Sequence, residues 1–410
     1  MTHIPKNTSN GNKNLQNDQL RDQFDEKQFF RFALLPNGFV DLLTSEARTE
    51  AYGVAMLMDS LMAHGYDLVR PPLMEFEETY LAGAGASLSA QSFRVMDPDS
   101  RRMMVLRPDI TPQIARIAAT RARDFARPLR VAYAGTCVVV TPVATGERGR
   151  EIMQIGMELI GLDTPEADIE VISIAAEALD RLGVQNVSFD LTMPSLVPTL
   201  LEEAGLSEIQ KEEIYHALAR KDAVAVVDHG GTLAPLLIAL LEAGGMVDNA
   251  LAQLKAIELP YQTQQIADRF VKTIIALRKR CPDLKITVDF VEFRGWKYHT
   301  GVCVCVFSQG CSEELGRGGR YLRNNEEPAC GLTFRPDVIF RLIPPIPSRE
   351  RVYLAQDADQ TEAACLRQKG YITIGGFTSG IQAIEEARRL GCAFILSKTM
   401  CHTVESILNL

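Results

Sequence analysis

The chain has 410 residues, 46% hydrophobic and 23% charged, with a net charge of −9 and a pI of about 5.4. That length supports two or three domains with an ample core. The acidic balance argues against extensive contact with nucleic acid, and with no run of about 18 or more apolar residues nothing is expected to span a membrane.

Residues 1–28, rich in Asn, Gln, Asp and Lys, read as a disordered tail: they lack the apolar stretch of a secretory signal and are too acidic for a transit peptide. Residues 45–66 carry apolar positions at helical spacing after Ser45, a candidate N-cap, and run to Gly65. The next segment, DLVRPPLMEF, is a short strand whose paired prolines suit an edge or a subunit contact. FRVMDPDSRRMMVLRPD reads as a hairpin turning at DPDS, and ITPQIARIAATRARDF as a helix with Pro112 in its first turn. LRVAYAGTCVVV and the segment up to residue 161 are antiparallel strands.

A helix is expected over 166–182, a strand over 186–193, and an almost wholly helical block without strands over 195–257. Helix resumes at 262–280, followed by strands in KITVDFVEF and HTGVCVCVF. The pattern is a large antiparallel α+β domain, residues 29–348, interrupted by a helical insertion at 195–257. Beyond the proline-rich IPPIPSRE, residues 349–410 alternate strand and helix as a small α/β domain of βαβαβ type.

The nine cysteines are odd in number and scattered, with no CxxC pair. That usage suits a reducing, cytoplasmic compartment. Cys303 and Cys305 alternate on one strand face; a buried reduced pair is favoured over a metal site, because no histidine cluster accompanies them. Neither metal nor cofactor is expected.

Four segments far apart in sequence set polar residues inside apolar strands: LRPDITPQ (106–113), QIGMELIG (154–161), FRGWKYHTG (293–301) and GRGGRY (316–321). Buried polar groups are costly unless partnered, so four such segments suggest one polar pocket.

In their order, these segments resemble the class II aminoacyl-tRNA synthetases, specifically the histidyl branch. LRPDIT is similar to LRPEGT there, EIMQIGMELIG to QFHQLGCEVFG, RGWKYHTG to RGLDYYTG, and GGRY to GGRYDGL. The resemblance covers roughly residues 30–355, and the C-terminal domain resembles a shortened anticodon-binding domain. It implies a class II synthetase-like antiparallel sheet flanked by helices. It also implies a histidine site in which Asp109, Thr111 and Gln154 take the α-amino end, Glu158 accepts from the imidazole, Arg294 lies near the α-carboxylate, and Tyr298 or His299 lines the ring.

The departures are as informative. The synthetase second motif, Phe-Arg-x-Glu, falls on Val138 and Val139 with Thr141 at the glutamate, and the arginine that closes the third motif is replaced by the out-of-register Arg335-Pro336-Asp337-Val338. Adenylation develops charge on phosphorus that fixed guanidinium groups stabilise, and valine offers nothing comparable. A synthetase fold that keeps its amino-acid end and loses its ATP chemistry resembles the regulatory subunits of ATP phosphoribosyltransferase. That resemblance implies no catalysis of the chain's own, a homodimer joined to the short-form catalytic subunit in a hetero-octamer, activation of that partner, and feedback inhibition by histidine at the first step of histidine biosynthesis.

Arg148 and Arg150, in the glycine-flanked loop ATGERGRE (144–151), either position a carboxylate or phosphate or belong to a solvated hairpin tip. The C-terminal domain has no basic excess, and Glu202, Glu203, Glu212 and Glu213 make the insertion acidic; both fit tRNA contact poorly, and a scaffold or partner-contact role is favoured for the former. Two alternatives carry different chemistry: a histidine–tRNA ligase, and a pseudo-synthetase module that binds tRNA.

Overall fold

A computed structural model describes residues 34–141, 149–292, 299–323 and 327–404. The expected tail at 1–28 and the candidates Arg148, Arg294 and Tyr298 lie outside the described residues. The chain divides into two compact units at Ile343 and Pro344.

The first unit opens with helix α1 (Thr44–Ala63). Its N-cap is Leu43, and Ser45 sits inside the first turn rather than ahead of it. The proline-containing segment splits in two. Strand β1 (Asp67–Leu68) pairs parallel at the edge of the main sheet, while β2 (Met74–Phe76) joins the expected hairpin β3 (Phe93–Met96) and β4 (Met103–Leu106) in a separate sheet of three strands. The DPDS turn is tied by Asp97, whose carboxylate accepts from the Asp99 and Ser100 amides and the Ser100 hydroxyl. Helix α2 (Thr111–Ala119) carries Pro112 near its start but ends six residues sooner than the sequence reading, with Thr120 as its C-cap.

The main sheet then takes β5 (Leu129–Val138), β6 (Glu151–Ile160), β7 (Val187–Thr192), β8 (Gly245–Met246), β9 (Lys285–Asp289), β10 (His299–Ser308), β11 (Gly316–Arg323) and β12 (Glu327–Phe334), in the spatial order β1-β5-β6-β12-β11-β10-β7-β9-β8. Two pairs, β1–β5 and β7–β9, run parallel on either side of the expected antiparallel strands. The central five strands, β5 to β10 through β12, are antiparallel throughout. Helix α3 (Pro165–Arg181) starts with Pro165 at N1, where its missing N–H costs nothing, and buries Ile169, Ile172, Ala175 and Leu179 in the core shared with α1 and the sheet.

The insertion is built of α4 (Leu196–Glu203), α5 (Glu208–Ala219), α6 (Ala223–Gly230), α7 (Ala234–Glu242) and α8 (Val247–Lys255), followed by the long α9 (Tyr261–Arg280). The block is not wholly strand-free: β8, a two-residue strand, pairs with Thr287 and Val288 of β9. Residues 223–242 form an apolar stretch of mean hydropathy 1.8, yet the helix breaks at Gly231, whose φ of +53° favours glycine. Its Val226, Leu237 and Leu240 pack into the core. Glu203 proves to be a helix cap, its carboxylate accepting from the Gln262 and Thr263 amides at 2.9 Å each, where it complements the positive end of α9.

In the second unit β13 (Arg351–Leu354), α10 (Gln360–Gln368), β14 (Ile372–Gly375), α11 (Ile381–Arg389) and β15 (Phe394–Ser397) give three parallel strands with two crossover helices. A fourth strand, β16 (Met400–Thr403), adds antiparallel to β15 and was not foreseen.

Candidate ligand-binding site

The four polar segments converge. A cavity of about 280 Å³ in the first unit is lined by Asp109 and Thr111 from the start of α2, Gln154 and Glu158 from β6, and His299 from β10, five of the residues singled out in the sequence. Strands β11 and β12 supply its floor, and the third segment contributes through its described part, His299 onward.

Strand alternation explains why β6 contributes Gln154 and Glu158 together: four residues apart, they share one sheet face. Gln154 organises one end of the cavity. Its Oε1 accepts from the Ile110 amide at 3.0 Å and the Cys137 thiol at 3.3 Å, leaving Nε2 to donate to Asp109 Oδ2 at 3.3 Å. The other Asp109 oxygen accepts from the Thr111 amide at 2.7 Å. Tyr80 fixes the Asp109 backbone from behind, donating to its carbonyl at 2.6 Å. Despite these donors, burial pushes the Asp109 carboxyl above its ordinary range.

At the other end Glu158 is 2% exposed. Tyr321 donates to its Oε2 at 3.0 Å. Burial raises its pKa to about 8, against the lowering effect of the Tyr321 hydrogen bond. Space for the carboxylate exists because β12 has glycine opposite it: a Cβ on Gly331 would lie 2.0 Å from Glu158 Oε2. His299 pairs with Tyr321 across β10 and β11, their rings edge to face at 6.4 Å. Burial and the neighbouring Arg317 push the His299 pKa down to about 3, so its imidazole is neutral at physiological pH.

The opposite wall is apolar. Val139 lines the cavity and is 3% exposed, and Val138, the last residue of β5, is also buried. Arg335 lies at the rim with Asp337 and is paired to it at 3.2 Å. Among the described cavity residues the cations are Arg317 and Arg335, each close to a carboxylate, Glu314 or Asp337.

One sequence candidate parts from the cavity. Arg150 is held elsewhere: its guanidinium stands over the Phe93 ring at 4.7 Å and the Phe39 ring at 5.7 Å and donates to the Val139 and Asn37 carbonyls. It braces the base of the β5–β6 hairpin and does not line this cavity. Arg107, from the LRPD segment, is likewise structural, donating to the carbonyls of Pro71 and Thr136 and to Gln113.

Tyr321, Gly331, Thr333 and Arg317 line the cavity without having been singled out. Tyr321 was within reach of the sequence, since GRGGRY places it two residues from Gly319 on one strand face. Gly331, a lone glycine inside a strand pattern, was a weaker signal of close approach.

Residues 38–339 match the family model described as histidyl-tRNA synthetase. An ATP phosphoribosyltransferase regulatory subunit from Gluconobacter oxydans is 49% identical over 364 residues, covering 88% of this chain and 95% of the relative. The chain belongs to the ATP phosphoribosyltransferase regulatory subunit family. The regulatory subunit of Paramagnetospirillum magneticum is 42% identical over 360 residues, with 88% and 95% covered. The fold is that of solved class II relatives. A Bacillus halodurans structure described as an ATP phosphoribosyltransferase regulatory subunit/histidyl-tRNA synthetase superposes with a TM-score of 0.75 at 23% identity, covering 89% of this chain and 98% of that one. The histidyl-tRNA synthetase of Nostoc sp. PCC 7120 gives 0.73 at 19% identity, with 88% and 90% covered. A regulatory subunit of this family thus keeps the synthetase sheet, with valines where the resemblance implies an activating arginine.

Proposed function

We propose that this regulatory subunit binds histidine in the cavity between Asp109 and Glu158, has no synthetase activity, and acts through a short-form ATP phosphoribosyltransferase catalytic subunit. In this reading it raises the partner's turnover, and histidine suppresses that gain, at the first step of histidine biosynthesis. The observation that carries the reading is the asymmetry of the cavity. One side keeps two buried carboxyl groups, Asp109 and Glu158, with their hydrogen-bonding partners, while the opposite side, among the described residues, offers Val139 and arginines that each lie beside a carboxylate.

The cavity suits the ligand chemically. The α-ammonium group would be met by Asp109, Thr111 and Gln154, and a ring N–H by Glu158. Arg294 and Tyr298, outside the described residues, are proposed for the carboxylate and the ring. Inhibition requires differential binding: histidine must favour the less active state of the assembly. Homodimers within a hetero-octamer are the proposed assembly, in the cytoplasm. Leu68 and Leu73, exposed beside the edge strand β1, support a homodimer contact there. The pI of about 5.4 supports a role without tRNA.

The test combines the purified chain with a short-form catalytic subunit and follows phosphoribosyl-ATP formation with and without histidine. Faster turnover that histidine then suppresses is expected. An unchanged rate with a cognate partner would remove the regulatory reading and bring the tRNA-binding alternatives forward.

A further inference from the structure

The candidate site holds two carboxyl groups, Asp109 and Glu158, in one buried cavity. The described groups that face Glu158 are the Tyr321 hydroxyl on β11, Thr111 at the start of α2, Tyr133 on β5, Gly331 on β12, Asp109, and His299 on β10. None of them is a cation at neutral pH, since burial keeps His299 neutral. A carboxylate without a nearby cation in such surroundings is expensive, and the usual resolution is to keep the proton. Tyr321 works the other way: its hydroxyl donates to Glu158 Oε2, which favours the ionised form.

Resting on the histidine-site reading, we propose that Tyr321 is a positioning residue that poises Glu158 to exchange its proton for a ring N–H, so that ligand uptake is coupled to proton release. In the step, the O–H bond of the Glu158 carboxyl breaks and its proton leaves to solvent. The freed oxygen then accepts a hydrogen bond from the incoming imidazole N–H, and no covalent bond forms. The ligand's α-ammonium group enters the same cavity beside Asp109 and offsets the charge left behind. The exchange makes the site selective for a ligand that brings its own donor and its own cation. An aliphatic amino acid would have to leave Glu158 protonated and facing a methyl group.

The experiment is calorimetric titration of L-histidine into the full chain at a pH of about 7.5, where the free ligand's ring is largely neutral. It is run in phosphate and in Tris, whose ionisation enthalpies differ. The expected result is an apparent binding enthalpy that depends on buffer, corresponding to release of most of one proton and fading as the pH rises through about 8, below the range where the ligand's own α-amine titrates. Tyr321→Phe removes the donor that favours ionised Glu158, so the fading should move upward by about one pH unit. A structural loss alone would not shift that profile, and the wild-type measurement stands whether or not the variant folds. Binding whose enthalpy is the same in both buffers overturns the exchange, because the proton has then stayed on Glu158 or passed to the ring. An unshifted profile in Tyr321→Phe overturns the role of Tyr321. Absence of binding at every pH overturns the histidine-site reading instead.

Discussion

Glu158 is the residue on which the site turns, and its environment fixes two expectations. Removing the carboxyl in Glu158→Ala should weaken histidine binding by about 1.5–3 kcal/mol, on the order of ten- to a hundredfold in Kd, because a charge-assisted hydrogen bond is lost. Calorimetry on the variant checks this, with circular dichroism to confirm the fold. The second concerns stability without ligand. The folded pKa of Glu158, about 8, lies above the ordinary carboxyl value of 4.5. The folded state therefore binds more protons than the unfolded state between those values, so this group's contribution is fully present below about pH 4.5 and lost as pH rises through about 8. Thermal melts of the wild type should show this decline, and Glu158→Gln should flatten it. A variant that declines as steeply as the wild type would place the pH dependence elsewhere. Sequence reading reached Glu158, Gln154, Asp109, Thr111 and His299 through a family resemblance. It missed Tyr321 as a site residue because a tyrosine hydroxyl shows its partner only in three dimensions. Arg150, left open between a ligand contact and a hairpin tip, stands beside the Phe39 and Phe93 rings, neighbours that appear only in three dimensions.

Among the elements, β11 and β12 do the most to shape the cavity. Gly319 and Gly331 face each other across the ladder, and both line the cavity. Gly331→Ala would press its Cβ onto the Glu158 carboxylate and to 2.6 Å from the Met157 carbonyl. It should cost about 1–3 kcal/mol of stability, like other overpacked cores, and lower histidine affinity along with it; urea denaturation beside calorimetry measures both. Arg320, the next residue after the glycines, anchors the strand to α3 through Asp168, with both side chains at most 4% exposed. Asp168→Asn leaves that guanidinium with the half-exposed Asp163, at 3.2 Å, as its remaining counter-ion and should destabilise the first unit by about 1–3 kcal/mol, read from the shift in urea midpoint. Most elements were legible from apolar period and turn chemistry. Strand β12 was not read, and β8 and β16, also unread, have every residue exposed, so those two carry no alternation to read. The parallel pairings were hidden as well, since they depend on which edge a strand joins rather than on its own pattern.

For the whole molecule, the exposed apolar side chains beside β1 make the quaternary state testable. Leu68 is 58% and Leu73 44% exposed, and both belong to the segment whose prolines suited an edge. If this edge is the homodimer contact, Leu68→Asp with Leu73→Asp should shift the sedimenting species from dimer to monomer, because a buried unpaired carboxylate is costly at an interface. A dimer that survives both substitutions would move the contact to another surface.

The valine wall on β5 has a consequence for what such a regulator would notice in a living cell. Nucleoside triphosphates are abundant and fluctuate with growth, and an amino-acid gauge that shared its chamber with them would report a mixture of supply and energy charge. With Val139 on the wall and Arg317 and Arg335 each beside a carboxylate, the described part of the chamber offers a triphosphate little to hold. The gauge would then read one nutrient alone, its setting insulated from the cell's fuel.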